Sequence, residues 1–175
     1  MSVGLAALPG ADSGLEQFEA LYRSCAGDLY AYVASLLRDR SAAEDVTALA
    51  FERAYRRRAL FDLRRGSARS WLFAIARNAA LDELRRRRRT AVLVGEIPDG
   101  EPAFEDDDEF AERRLLVRDG LASLEPRERE VILLKFVGRL NNSELARVLG
   151  CSETAAGTRL HRAIERLREA CNVTQ

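Results

Sequence analysis

Apolar residues recur along this chain at intervals of three and four. From Leu15 to Leu37 they fall at Phe18, Leu21, Tyr22, Cys25, Leu29, Tyr32, Val33 and Leu36, which lines one face of an α-helix. Gly27 stands inside this run and predicts a break there. Ser41, with Glu44 three residues on, reads as a capping box. The helix it opens extends to about Arg58, with Val46, Ala50 and Ala54 stacked on one face. The sequence FDLRRGS, residues 61–67, interrupts the period and reads as a loop. A helix from about Ala68 to Arg89 follows. Leu72, Phe73, Ile75, Ala76, Ala79, Ala80 and Leu84 form its apolar face, and Trp71, Ala74, Asn78, Asp82 and Arg85 a stripe on the other side.

The second half repeats the helical period after a change of composition. GEIPDGEPAFEDDDEF, ending at Phe110, holds two prolines, two glycines and a run of acids, the composition of a linker. Residues from Arg113 to Leu124 return to helical spacing. Pro126 suits the first position of the next helix, which Gly138 ends. Asn142 or Ser143 then caps a short helix containing Leu145, Ala146, Val148 and Leu149. Ala146, Gly150 and Ala156 have the four- and ten-residue spacing of a helix-turn-helix: a small residue lets the helices approach, glycine takes the turn, and Ala156 begins the buried face of the second helix. On that helix Ala156, Leu160, Ala163, Ile164 and Leu167 are expected inside. Thr154, Thr158, His161, Arg162 and Glu165 are expected outside, flanked by Arg159 and Arg166. Strand-like alternation is nearly absent, so the expected fold is all-α. Two small helical domains, residues 15–92 and 113–171, follow a tail (1–14) and are joined by an acidic flexible linker (93–112).

Charge sharpens this division. The net charge is 0, which by itself argues against a polyanion partner. Its distribution argues the reverse: residues 15–94 carry 16 Arg against 10 acids, residues 95–112 carry 9 acids and no base, and residues 113–175 carry 12 bases against 8 acids. Two basic modules flank an acidic spacer, a pattern suited to nucleic acid. The third helix ends in Arg85–Arg89. Cations compensate a helix C-terminus, but five in a row repel one another beyond that need, which favours phosphate binding. Cys25, Cys151 and Cys171 lack the close pairs of a zinc site, so neither metal nor cofactor is expected and the thiols read as reduced. No apolar run has membrane-spanning length and the N-terminus lacks a basic leader, which makes a cytoplasmic setting the expectation.

Four stretches carry a family resemblance: AEDVTALAFERAYRR, RSWLFAIARNAALDELRRRRR, LASLEPREREVILLKFVGRLNNSELARVLGCSE and TRLHRAIERLREA. Together, over about Leu15 to Ala170, they resemble the extracytoplasmic-function sigma factors of the bacterial sigma-70 superfamily. The resemblance implies a non-enzymatic transcription initiation factor. Its first domain would bind the clamp of core RNA polymerase and melt the minus-ten promoter element; its second would grip the minus-thirty-five element and the polymerase flap. It adds an anti-sigma protein as a candidate partner and no small-molecule substrate. Carried onto this chain, Glu44, Asp45, Ala48, Leu49 and Glu52 match the clamp-binding helix. Phe61, Asp62, Arg65, Gly66 and Ser67 match the loop that captures a flipped base. Trp71, Arg77, Asn78, Asp82, Arg85 and Arg86 match the helix beside the melted strand, and Ser152, Glu153, Thr154, Thr158, Arg159, His161 and Arg162 the segment entering the major groove.

Two departures stand out. Ala48 and Leu49 replace the family's usual glutamine and acid, which makes the clamp-binding face more apolar. Ala156, Gly157 and Thr158 replace a Val-Lys-Ser run, which removes one cationic DNA contact. The alternative reading is a helix-turn-helix regulator that is not a polymerase subunit; it would call for an apolar sensory pocket where the first half instead has Trp71 and an arginine run. A nucleic-acid enzyme would need positioned carboxylates, and the one acidic cluster, Glu105–Glu109, lies in the linker.

Overall fold

The structure, a computed structural model, describes residues 11–62, 64, 66–94 and 111–173. The acidic spacer between residues 95 and 110, and Arg65, lie outside the described residues. Seven α-helices are described: α1 (Ala11–Leu37), α2 (Arg40–Arg56), α3 (Ala68–Val94), α4 (Ala111–Ser123), α5 (Pro126–Phe136), α6 (Asn142–Leu149) and α7 (Glu153–Val173), with a 3-10 turn at Arg58–Leu60.

Helices α1, α2 and α3 pack against one another in pairs, and α4, α5 and α6 each pack on α7. The expected apolar faces are the buried ones. Leu72, Phe73, Ala76 and Ala80 of α3 are fully enclosed against Leu29, Tyr32 and Val33 of α1 and Ala43, Ala50 and Ala54 of α2. Tyr32 and Phe73 meet with ring centroids 5.5 Å apart. In the second group Val131, Leu134, Leu140, Leu145, Ala156 and Ala163 form the centre. Burial of the Val, Leu and Phe side chains among them contributes about 1.5–3 kcal/mol each relative to exposure. The two groups meet where α6 lies on α3 and α5 on α1.

Three local expectations are corrected. α1 runs unbroken through Gly27 and begins at Ala11, inside the expected tail, because its buried stripe continues on both sides of the glycine. α2 is capped by Asp39, not Ser41: the Asp39 carboxylate accepts the Ala42 amide at 2.9 Å. Arg38 adopts φ 52° and turns the chain, so the helix restarts one residue later from an extended Asp39. α6 is capped by Asn141, not Asn142 or Ser143. Its side chain accepts the Glu144 amide while Glu144 accepts the Asn141 amide, each at 2.9 Å. This capping box needs its acid three residues after the cap, which only Asn141 satisfies for Glu144.

The helix-turn-helix geometry is as expected. Gly150 closes α6 at φ 67°, ψ 40°, the left-handed conformation glycine adopts without a Cβ clash. Its amide and that of Cys151 bond back to Arg147 and Ala146 carbonyls, and α7 starts three residues later. Pro126 occupies the first turn of α5.

Candidate nucleic-acid interface

Three surfaces collect the predicted site residues. On α2, the buried stripe of Val46, Ala50 and Ala54 leaves Glu44, Asp45, Ala48, Leu49 and Glu52 exposed together. Glu44 pairs with Arg40 at 3.5 Å and Glu52 with Arg56 at 2.6 Å, exposed pairs that contribute little to stability. Asp45 has no ion-pair partner among the described residues. Beside it Leu49 and Tyr55 are more than a third exposed, so this face mixes acid and apolar surface as the sequence implies.

The second surface is a cleft of about 200 Å³ where the loop meets the start of α3. Leu60, Phe61, Asp62, Gly66, Ser67, Ser70, Trp71 and Ala74 line it, joined by Arg147 and Val148 of α6. Its aromatic wall is the Phe61–Trp71 pair, with ring centroids 5.2 Å apart. Asp62 turns the loop by accepting the Arg64 amide at 2.9 Å. Gly66 stands at φ 139°, so conformation requires glycine there; a Cβ would meet Ser70 Oγ at 3.1 Å and the flexible end of Arg147, which can shift aside. Ser67 starts α3: its hydroxyl accepts the Ser70 amide at 3.1 Å and itself donates to Glu144. The cleft thus offers two rings for stacking and a rim of hydroxyl, carboxylate and guanidinium groups.

Further along α3, Asn78, Asp82, Arg85 and Arg86 are exposed. Arg77 is half-buried, with Nε 2.7 Å from Oε1 of Glu130 and Nη2 3.3 Å from Oε2. The arginine run divides. Arg86 and Arg87 both bond Glu83, and Arg87 also reaches the Asp39 carboxylate at 2.9 Å. These bonds, Arg86 first and then Arg87, pull the Glu83 carboxyl down from 4.5 to about 2. Asp39 is lowered as well, chiefly by the Ala42 amide and next by Arg87. Arg87 therefore ties α3 to the cap of α2, while Arg85, Arg86, Arg88 and Arg89 remain on the surface.

The third surface is the outer side of α7. Glu153, Thr154, Thr158, Arg159, His161 and Arg162 are all exposed, while Ala156, Leu160 and Ala163 are buried. Ser152 is exposed and its hydroxyl accepts the Ala155 amide at 3.2 Å, so it also caps the helix. His161 lies 3.2 Å from Glu165.

Sequence reading missed Leu60, Ser70, Ala74, Arg147 and Val148 in the cleft, and it missed Arg69. That side chain, on α3, donates to the Gly138 carbonyl at 2.5 Å and the Val137 carbonyl at 3.3 Å, and pairs with Asp28 at 2.5 Å. Ser70 was detectable as the turn after Ser67; the α6 residues were not, because nothing local places α6 against α3.

An aromatic cleft beside a basic helix, together with a helix-turn-helix whose second helix presents a polar and basic face, is an arrangement suited to nucleic acid. Comparison with known proteins gives its family. Sigma-70 region 2 matches residues 21–90 and sigma-70 region 4 matches residues 114–167. The chain is 34% identical over 151 residues to the ECF RNA polymerase sigma factor SigL of Mycobacterium tuberculosis, covering 85% of each. It is 32% identical over 161 residues to the RNA polymerase sigma factor CarQ of Myxococcus xanthus, covering 90% of this chain and 91% of that one. Among solved structures, CnrH in complex with the cytosolic domain of CnrY is similar at TM-score 0.66 and 27% identity, over 92% of this chain and 91% of that one. The sigma factor RpoE in complex with the anti-sigma factor NepR from Bartonella quintana shares the fold at TM-score 0.81 and 22% identity, over 91% of this chain and 99% of that one. The chain belongs to the extracytoplasmic-function sigma factors of RNA polymerase, which sets aside the regulator that is not a polymerase subunit.

Proposed function

We propose that this chain recruits core RNA polymerase through the α2 face, opens the minus-ten element at the Phe61–Trp71 cleft and reads the minus-thirty-five element with α7. The first domain is residues 15–92 and the second 113–171; neither has a catalytic role, and the setting is the cytoplasm. The observation that carries this reading is the cleft itself. Extruding a base from the duplex costs a few kcal/mol, and an aromatic platform returns about 1–3 kcal/mol per stacked base. Phe61 and Trp71 supply such a platform, with Gly66 letting the backbone close in. Asn78, Asp82, Arg85 and Arg86 continue the exposed track for the displaced strand.

On α7, Arg159 and Arg162 project from an exposed face without burying apolar area. A guanidinium bidentate to a guanine edge discriminates by about 1–3 kcal/mol, and Thr154 and Thr158 offer hydroxyls to neighbouring bases. The acidic and apolar face of α2 suits a basic and apolar surface on the clamp, and the second domain would dock on the flap. A protein that sequesters either face, an anti-sigma factor, is the expected regulator.

The test is run-off transcription by purified core polymerase and this chain on its own upstream region, with permanganate footprinting. The wild-type chain should give a discrete start and reactive thymines in the minus-ten element. Trp71→Ala should keep promoter occupancy and lose the reactive thymines. Equal melting by both proteins would overturn the assignment of the cleft.

A further inference from the structure

The cleft has a second basic edge, distinct from the arginine run of α3. Between Arg53 and Arg65 the chain holds six arginines against one acid, Asp62. Arg53 and Arg56 lie in the last turn of α2, where cations compensate the helix dipole, and Arg56 is paired with Glu52. Arg57, Arg58 and Arg64 come after the helix and are exposed, so the dipole does not account for them. The Arg57 and Arg64 side chains have no ion-pair partner among the described residues. Arg58 is held in place: its guanidinium lies 4.0 Å from the centre of the Tyr55 ring and donates to the Tyr55 carbonyl at 2.8 Å. Tyr55 in turn packs on Phe18, with ring centroids 5.2 Å apart. The 3-10 turn leads from these arginines directly into the cleft wall, since the Leu60 and Phe61 amides bond the Arg57 and Arg58 carbonyls. Leu60 is 81% exposed. Apolar side chains left in water among free guanidinium groups suit the bases and phosphates of a single strand.

We propose that Arg57, Arg58 and Arg64 form a phosphate-binding lip that grips the single strand on the far side of the captured base from Arg85–Arg89. The inference rests on reading the cleft as the strand-capture site. The placement follows from how α2 and α3 pack. Arg87 reaches Asp39 at the start of α2, which sets the arginine run at that end. Trp71 meets Phe61 just past the other end. The 17 residues of α2 separate the two ends by about 25 Å, and the cleft lies at the Arg57–Arg64 end. A strand crossing the cleft therefore meets guanidinium groups both before and after the base it gives up. Each is a charge-assisted donor to phosphate. Once one side is held, the second grip forms within the same complex and gains from the high effective concentration of its partner. Two anchors hold the backbone on either side of the Phe61–Trp71 platform, so the base is kept from slipping back into the stack.

The test uses holoenzyme, core polymerase with the full chain, and a promoter probe from the chain's own upstream region whose minus-ten element is already unpaired. The lip variant is Arg57→Ala with Arg64→Ala. Both positions are exposed, so the chain should fold and still co-purify with core polymerase, which circular dichroism and a pull-down check. Arg86→Ala with Arg88→Ala serves as the comparison. Losing two single-strand phosphate contacts should flatten the slope of log affinity against log salt by about 1.4. Between 50 and 200 mM salt the wild type should then lose about sevenfold more affinity than the lip variant. Uncharged methylphosphonate linkages, placed in turn on either side of the captured base, locate the contact. The wild type should be weakened by linkages on both sides. The lip variant should be indifferent to them on one side, and the Arg86 and Arg88 variant on the other. An unchanged salt slope, loss of co-purification with core polymerase, or indifference of both variants to the same linkages would overturn the lip. The strand-capture reading fails separately, if the Trp71→Ala holoenzyme melts its promoter normally.

Discussion

Gly157 offers a perturbation whose size follows from the geometry around it. It is the fifth residue of α7, deep enough that its neighbours on both sides are helical. It has no positive φ, and a Cβ built on it meets no atom within 4 Å. Neither conformation nor packing therefore requires glycine here. Gly157→Ala removes backbone freedom from the unfolded chain and adds no clash, a gain of about 0.4–1 kcal/mol. For a chain of this length, that corresponds to a rise in Tm of about 1–4 °C. Urea unfolding followed by circular dichroism should show a higher midpoint with unchanged slope. A lower midpoint would refute the reasoning, since it would require an irregular backbone or an unseen neighbour at this position. In helical projection the new methyl lies beside Thr154 and His161 on the outer face. The same variant should therefore weaken minus-thirty-five binding where the groove approaches the α7 backbone closely, so stability and promoter affinity should move in opposite directions.

Asp45→Arg should abolish co-purification with core polymerase while changing stability by about 0.5 kcal/mol or less, because the site is exposed; a thermal melt beside a pull-down checks both halves. Arg162→Ala should blunt preference at one or two base pairs of the upstream element, about 1–3 kcal/mol of discrimination, whereas Arg86→Ala with Arg88→Ala should lower affinity on every promoter and flatten its salt dependence. A salt titration on a promoter library separates these, and Arg87 is left intact because it ties α3 to the α2 cap. Glu83→Gln should destabilise the chain at neutral pH by about 1 kcal/mol, after allowing for solvent screening of its exposed partner Arg86. The folded carboxyl titrates near 2 against 4.5 when free, so this contribution is complete above about pH 4.5 and disappears as pH falls through about 2. Urea midpoints of the two proteins should converge at the acid end.

The helices were legible because their burial is periodic. Leu72, Phe73, Ala76, Ala79 and Ala80 repeat at helical spacing, and the same residues are the enclosed ones. The turn at Gly150 was legible because only a left-handed residue completes the motif. Capping was read one or two residues late at both α2 and α6. Several polar residues compete for each cap, and the winner is set by where the chain turns, as at Arg38. Glu130 was beyond reach: in Arg-Glu-Arg-Glu it looks like any solvated charge, and its partners Tyr32 and Arg77 are 98 and 53 residues away. The arginine run was half legible. Glu83 and Arg87 are four apart, a spacing that pairs on a helix surface, but Asp39 enters only through the fold.

The pairing of Tyr32 and Arg77 with Glu130 has a consequence at high concentration. Nothing in that contact distinguishes a Glu130 of the same chain from one belonging to a second copy, since the groups meet through space across a large sequence separation. Two chains that exchange their C-terminal halves rebuild both contacts, the reciprocal arrangement of a domain-swapped dimer. A tether holds the native partner at an effective concentration of order millimolar, so at micromolar protein the monomer wins by about a thousandfold. Placing the two helical groups on separate chains would remove that advantage and leave the contact to form between molecules alone.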